Sequence, residues 1–315
     1  MIKRTRISTL TRNFVVSAVV VLCGRTEAGI IGQWTFESGE EQTDLAGNFD
    51  SLVLNGSASV SGGALHVSGF GTTSTGWASA ASNASSPFLG EKTLVTWLTL
   101  NDLSATFGAP LGIDDKFIDK FDSIVFAERS PNRWMAGSTN FLRSGLPSDF
   151  AAPEAVESTP GEMIQMAISY RDLGGGGVEI TGYRNGVLLG QYTDSLTDFF
   201  VNQPSEFATW DSNTYEALFG IRATIGIDTF GALNASIFEA RIYDEVLTQS
   251  QIQSLNPAAV PEPGTFVVLL GSTLGAMFVR CRTRKTTGTQ EDNGDAANAV
   301  RNSACAALGV IPVQK

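Results

Sequence analysis

An all-β body, folded as a two-sheet antiparallel sandwich, is what this 315-residue sequence predicts. Short runs rich in β-branched and aromatic residues recur along it, separated by Gly and Asn-Gly turn signals. Only one short stretch near residue 250 reads as helix. The three cysteines, Cys23, Cys281 and Cys305, leave none between Gly29 and Asn256, so no disulfide holds the body. About 230 residues are enough for one domain with a core of its own.

The elements follow in chain order. Lys3, Arg4, Arg6 and Arg12 precede an apolar run from Phe14 to Leu22, the pattern of a secretory signal peptide. Thr26-Glu27-Ala28 supplies small residues for cleavage after Ala28, which starts the mature chain at Gly29. Strands are expected over 31–36, 64–68, 93–100, 123–127, 163–170, 178–183, 187–192, 218–225 and 236–243. In 93–100, Leu94, Thr96 and Leu98 alternate with Val95, Trp97 and Thr99, a strand's period of two. Trp34 and Trp97 sit in such strands and are core candidates. Asn185-Gly186 tolerates the positive φ values of a type I′ hairpin turn, and 174–177 is a second, Gly-only turn. The Ser/Thr/Ala/Gly tract over 71–87 reads as a mobile rim loop. Thr248 and Gln251 form a capping box at the head of a helix over 248–255, which Leu247, Ile252 and Leu255 pin to the sandwich.

Beyond Pro257 the chain changes character. Val260-Pro261-Glu262-Pro263-Gly264 is followed by a charge-free stretch over 265–279 and then by a basic cluster containing Arg280, Arg282, Arg284 and Lys285. This tripartite arrangement resembles the PEP-CTERM sorting signal of exopolysaccharide-producing Gram-negative bacteria. The resemblance implies export, transient inner-membrane retention, and cleavage near Pro261-Glu262-Pro263 by an exosortase. Unlike the family pattern, the chain runs on from 286 to 315 through a polar tract. An apolar helix over 265–279 would span roughly 22 Å against a hydrocarbon core of about 30 Å, short for a permanent anchor. Gly271 and Gly275 give it a small-xxx-small face, and the basic cluster holds its far end on the cytoplasmic side. The organisation expected is therefore a signal peptide (1–28), a body (29–256), a Pro-Glu-Pro linker (257–264), a transmembrane sorting segment (265–279), and a basic stop with polar tail (280–315).

The body carries a second resemblance. Ile31-Gly-Gln-Trp-Thr-Phe-Glu37, Asp44-Leu-Ala-Gly-Asn48, Leu94-Val-Thr-Trp97, Tyr183-Arg-Asn-Gly-Val187 and the run from Phe238 to Leu247 are similar to successive landmarks of the LamG-like, concanavalin A-like lectin/glucanase superfamily. The resemblance implies a jelly roll that binds carbohydrate or protein through rim loops or a concave sheet, often with a structural Ca²⁺. Its calcium site maps onto Asp44, Gly47, Asn48 and Glu239. Phe238-Glu239 replaces the usual Asp-Glu pair, and the alternative for Asp44 and Asn48 is a solvated turn.

Charge narrows the partners. Between Gly29 and Val260 there are 27 Asp plus Glu against 10 Lys plus Arg, a net −17. That balance excludes nucleic acid, whose phosphates need concentrated cations. For sugar recognition the candidates are Trp77, Trp134 and Trp210, with Asp211 and Asn213 as hydrogen-bonding neighbours; closing the sandwich is the alternative role for each indole. The acidic run over 114–122 reads as a solvated loop, and as a cation site in the alternative. His66, the single histidine, lies in an expected strand without a catalytic partner. No Glu-x-Asp-x-x-Glu run marks a glycosidase, although two carboxylates from separate strands leave no local motif. The sequence reading is thus an exported cell-surface or matrix protein that binds polysaccharide, a surface glycan or another surface partner without catalysis. A cryptic glycosidase or polysaccharide lyase, and a structural matrix component with no discrete ligand, are the alternatives.

Overall fold

The computed structural model describes residues 29–69, 75–104, 107–193, 207–225 and 228–257. The signal peptide with Ala28, and the sorting signal with Pro261, Glu262, Pro263, Gly264, Arg280, Arg282, Arg284 and Lys285, lie outside the described residues. So do all other residues from 258 to 315. Among the described residues no helix is long and apolar enough to cross a membrane.

Among those residues the chain forms an antiparallel β-sandwich. In order, its first strands are β1 (Ile30–Trp34), β2 (Val53–Asn55), β3 (Ser59–Ser61), β4 (Ala64–Val67), β5 (Trp77–Ala81) and β6 (Lys92–Leu100). Next come β7 (Gly108–Asp115), β8 (Phe121–Phe126), β9 (Trp134–Ser138), β10 (Met163–Gly174) and β11 (Gly177–Arg184). The last are β12 (Val187–Thr193), β13 (Tyr215–Phe219), β14 (Ala223–Ile225), β15 (Asp228–Phe230) and β16 (Ala235–Tyr243), followed by helix α1 (Gln249–Ser254). The larger sheet runs β12-β11-β10-β6-β16-β4-β3, and β16 splits its far edge between β4 and β1. The smaller runs β2-β5-β13-β7-β8-β9, and β14 pairs with β15 as a separate hairpin.

Side chains from both sheets meet in one core. Trp34 packs edge-on against Phe49 and Phe219, with ring centroids 5.1 and 5.2 Å apart, an arrangement the aromatic quadrupole favours. The larger sheet is covered on its outer face as well. Val95, Trp97, Ala167, Tyr183 and Tyr243 pack there against Leu247 and Ile252. The expected alternation in β6 therefore becomes burial on both faces, with Trp97 in this outer cluster. The Thr248 hydroxyl accepts from the Gln251 N–H and the Gln251 side chain accepts from the Thr248 N–H, the reciprocal cap expected. Gln249 and Gln253 then donate to the carbonyl of Gly186, tying α1 to the β11–β12 turn. Asn185 and Gly186 adopt φ of 49° and 72°, as a type I′ turn requires.

Three expectations change. The strand expected over 218–225 breaks at Gly220, whose φ is +90°, so the chain leaves the sheet and returns as the β14–β15 hairpin. The rim loop expected over 71–87 contains β5, an inner strand of the smaller sheet. The acidic run expected to be a solvated loop instead ends β7 and opens β8, with Asp114 and Asp122 fully buried. Gly, Pro and Asp give β7 a poor strand composition, and burial between neighbouring strands overrides it.

Candidate functional site

One end of the sandwich is organised by a buried cation. Lys92, at the start of β6, is completely enclosed, and its Nζ lies 4.2 Å from the Trp210 ring centroid and 4.5 Å from that of Tyr170. Across the core, Asp122 of β8 pairs with it at 2.9 Å and takes the Nε–H of Arg143 at 2.6 Å on its other oxygen. An unpaired charge at such depth is costly, so the carboxylate and the aromatic faces are what make Lys92 tolerable there. Burial pushes the Lys92 ammonium down to about 8, against the opposing pull of Asp122. Lys120 donates to the carbonyl of Thr209 and lies 4.9 Å over the Trp210 ring.

This foundation fixes the loops above it. Trp210 exchanges both backbone hydrogen bonds with Leu89, Lys116 N–H donates to the carbonyl of Thr214, and Tyr215 Oη donates to the carbonyl of Pro87. Phe207 N–H donates to the carbonyl of Gly176, and Asp172 N–H to Glu91, which brings in the β10–β11 turn. Four large apolar side chains project from these tied segments into solvent. Phe117 is 76% exposed, Phe88 59%, Ile118 58% and Leu173 51%. Asp211 and Asn213 are exposed in the turn beside them. Solvent-facing apolar groups gathered at one end and rimmed by polar ones are the usual mark of an interaction surface.

The tryptophans are placed differently from expectation. Trp210 is fully buried, so it supports the rim from below and offers no ring face to a sugar. Trp134 is also fully buried, in β9, and its indole N–H donates to Glu157 at 2.6 Å. The same Glu157 receives Arg184 of β11, so this indole joins the sheets. Both take the packing role, because each ring fills space between the sheets. Trp77 is half-buried in β5, apart from Asp211 and Asn213. The exposed rings of the rim are phenylalanines. Phe117-Ile118 inside a charged run was the available signal, since a purely solvated turn has no use for that pair.

The calcium residues do not form a cation site. Asp44 is buried, and its two oxygens accept four backbone N–H groups, from Gln33, Ala46, Asn48 and Phe49, at 2.7–3.0 Å. Glu239 is enclosed and accepts from Gln33 Nε2 and Arg241 Nε. Asn48 donates its amide to the carbonyl of Ile31, and Gly47 supplies a positive φ of 78° for the turn. Ca²⁺ needs six to eight free oxygens, whereas here the carboxylates already have N–H partners and a guanidinium. The donor set does not fit the ion; Asp44 is the turn's organiser. His66 is satisfied by Ser236 and the carbonyl of Ser61.

Asp114 and Glu216, directly opposite each other on β7 and β13, form a carboxylate pair no local motif revealed. Thr224 of β14 donates its N–H and hydroxyl to Asp114 at 2.9 and 2.7 Å and lies 3.3 Å from Glu216. Burial pushes the Asp114 carboxyl up to about 7. Fully enclosed under the hairpin, Asp114 fastens β14 to the sheet and cannot meet a substrate there.

No family model matches the sequence, and no curated protein matches it. Among solved structures, the chain is similar to a botulinum neurotoxin type C structure whose description names interaction with two ganglioside molecules. The identity is 13% and the TM-score 0.44, over 71% of this chain and 50% of that one. It is similar to the binding domain of botulinum neurotoxin serotype D/C at 14% identity and TM-score 0.45, over 71% and 51%. A Trypanosoma rangeli sialidase aligns at 14% identity and TM-score 0.43, over 72% and 32%. The chain thus spans about half the length of the two toxin chains. Likeness at this level carries nothing about ligand, partner or reaction.

Proposed function

We propose that this protein is an exported cell-surface or matrix protein whose jelly-roll body binds a polysaccharide or another surface partner without catalysis. The observation that carries the reading is the rim itself. Phe88, Phe117, Ile118 and Leu173 stand in solvent on loops anchored to a buried ion pair, with Asp211 and Asn213 beside them. Flat apolar rings suit the C–H face of a sugar, and the carboxylate and amide suit its hydroxyls. Delivery rests on the two terminal signals of the sequence, with an exosortase as processing partner and the inner membrane as a transient station.

A glycan array probed with residues 29–256, with and without Phe117→Ala, tests the binding. Selective capture that drops about tenfold in the variant, at unchanged melting temperature, is expected. An array with no selective binding rejects the reading in favour of a structural role, and release of reducing ends that survives repurification rejects it in favour of an enzyme. Sorting is tested separately by Glu262→Ala, which should block the change in mature mass.

A further inference from the structure

The β14–β15 hairpin lies against the outer face of the smaller sheet and is tied there by polar bonds. In β7 and β13, Leu111, Ile113, Tyr215, Ala217 and Phe219 belong to the core, so a strand's alternation turns Asp114 and Glu216 outward. Ser123 of β8, next to the core residue Ile124, is turned outward in the same way. All three reach the hairpin. Ser123 Oγ donates to the carbonyl of Arg222 at 3.0 Å, Asp114 Oδ2 takes the Thr224 N–H and hydroxyl, and Glu216 lies 3.3 Å from that hydroxyl. Among the described residues, none of β14 or β15 belongs to an apolar core cluster. The hairpin joins the sheet through two glycines with left-handed backbone, Gly220 (φ +90°) and Gly231 (φ +85°). Gly220 is itself fixed, donating its N–H to the carbonyl of Ala109 and accepting from the Leu233 N–H. Firm ends, glycine pivots and little apolar burial between them are the makings of a segment that opens locally.

The bonds that close it are sensitive to charge. Asp114 and Glu216 are directly opposite across the β7–β13 ladder, where two negative charges repel. Asp114 Oδ1 is enclosed with no hydrogen-bond partner, a costly place for a charged oxygen and a tolerable one for a protonated one. Around the pair, Asp119 acts on Asp114 and Lys116 on Glu216 from the β7–β8 turn, while β8 and β5 place Phe121 and Ala81 opposite it. From the hairpin side, Arg222 is engaged by Glu128 and Asp119, and Asp228 is exposed. Burial pushes both carboxyls up, Asp114 to about 7. Lifting the hairpin lets them meet water and return toward ordinary values, so between 3.8 and about 7 the closed form binds more protons than the open one. Closure therefore weakens as pH rises across that window and levels off above it.

We propose that the β14–β15 hairpin is a proton-operated flap, closed over the smaller sheet while Asp114 and Glu216 share a proton and swung out on Gly220 and Gly231 when that proton leaves. The flap stands on its own bonds and does not depend on what the rim binds.

The test is amide hydrogen exchange of the purified full chain, read at the Thr224 N–H as a protection factor relative to an unstructured chain at the same pH. Release of one proton on opening makes protection fall tenfold per pH unit, so a loss of about a hundredfold is expected between about pH 4.5 and 6.5, flattening above about pH 7.5. Asp114→Asn keeps an oxygen for the Thr224 N–H but cannot take up the proton, and its protection should stay within about threefold over the same range. Glu216→Gln removes the like charge and should move the levelling point to lower pH. At every pH the Thr224 N–H should exchange at least about a hundredfold faster than the β10 amides and be unmoved by about 1 M urea, the mark of a small local opening. The proposal is overturned if wild-type protection at Thr224 is flat across the window or if it falls equally in Asp114→Asn. It is also overturned if Thr224 exchanges only as slowly and as urea-sensitively as β10, for then the hairpin opens only when the whole body unfolds.

Discussion

Replacing Asp122 with Asn tests whether the enclosed charges hold the two sheets together as described. Asp122 pairs with Lys92 (2.9 Å) and with Arg143 Nε (2.6 Å), and none of the three side chains is more than 4% exposed. The Asn variant keeps the shape and leaves two cations enclosed beside a neutral amide. Breaking a buried pair on one side costs about 3–5 kcal/mol, a large part of a domain stability of about 5–15 kcal/mol. Lys92→Met is the contrasting change. It removes one charge, fills the aromatic box with a flexible apolar chain and leaves Asp122 paired with Arg143, so it should cost clearly less. Urea unfolding of residues 29–256 is the assay, with a midpoint about 1–2 M lower expected for Asp122→Asn at unchanged slope. Above pH 8 the comparison acquires a sign. Lys92 loses its proton near 8 in the folded state against 10.5 in the unfolded chain, so the unfolded state binds more protons between those values. Wild type should gain stability relative to Lys92→Met across that window. An Asp122→Asn midpoint equal to that of wild type, or a larger loss in Lys92→Met, would refute the reasoning.

Asp44→Ala strands four N–H donors and should cost about 2–4 kcal/mol in the same unfolding assay. Adding millimolar Ca²⁺ to wild type should leave its melting temperature unmoved, because the Asp44 oxygens are already taken; a clear rise contradicts that assignment. Asp114 has a folded pKa of about 7 against an ordinary 3.8, so its contribution is fully present below 3.8 and is lost as pH rises through 7. Melting curves of Asp114→Asn should accordingly be flatter than wild type between those two pH values. Glycan binding should change little with added NaCl, since Lys92, Arg143, Arg184, Arg222 and Arg241 are all engaged with acidic partners; a steep fall points to an anionic ligand.

The sequence discloses what local chemistry decides. The capping box at Thr248, the Asn185-Gly186 turn and strands such as β6 and β10 are each determined within a few residues, and each lies where the pattern places it. Partners distant in sequence are hidden. Asp114 meets Glu216, and Lys92 meets Asp122, only because the topology pairs β13 with β7 and stacks β6 over β8. Long-range packing also hides the place of two tryptophans. Trp134 and Trp210 lie among Arg, Asn, Asp and Ser, which reads as loop, yet the polar neighbours turn outward while each indole turns into the core. Phe88 and Phe117 carry the opposite deception, apolar residues held out in water by turns whose backbone bonds are fixed beneath them.

A body without disulfides needs some other way to choose one stacking of its sheets, because apolar contact is non-directional and tolerates sliding. The two interior charge clusters supply direction. Asp122 receives Lys92 from the opposite sheet, and Glu157 receives Arg184 of β11 together with the indole N–H of Trp134 on β9. A slip of one residue in either sheet would turn these groups to the wrong face and leave charges enclosed without partners, a far larger penalty than any loss of apolar contact. The price in desolvation thus selects a single register more than it adds stability. That register has a functional consequence at the rim, whose segments hang from Trp210, Lys120 and Leu89 directly around the Lys92 cluster. Fixing the sheets against each other is the same act as fixing Phe88 and Phe117 relative to Asp211 and Asn213, which lets flexible-looking loops present a preformed surface.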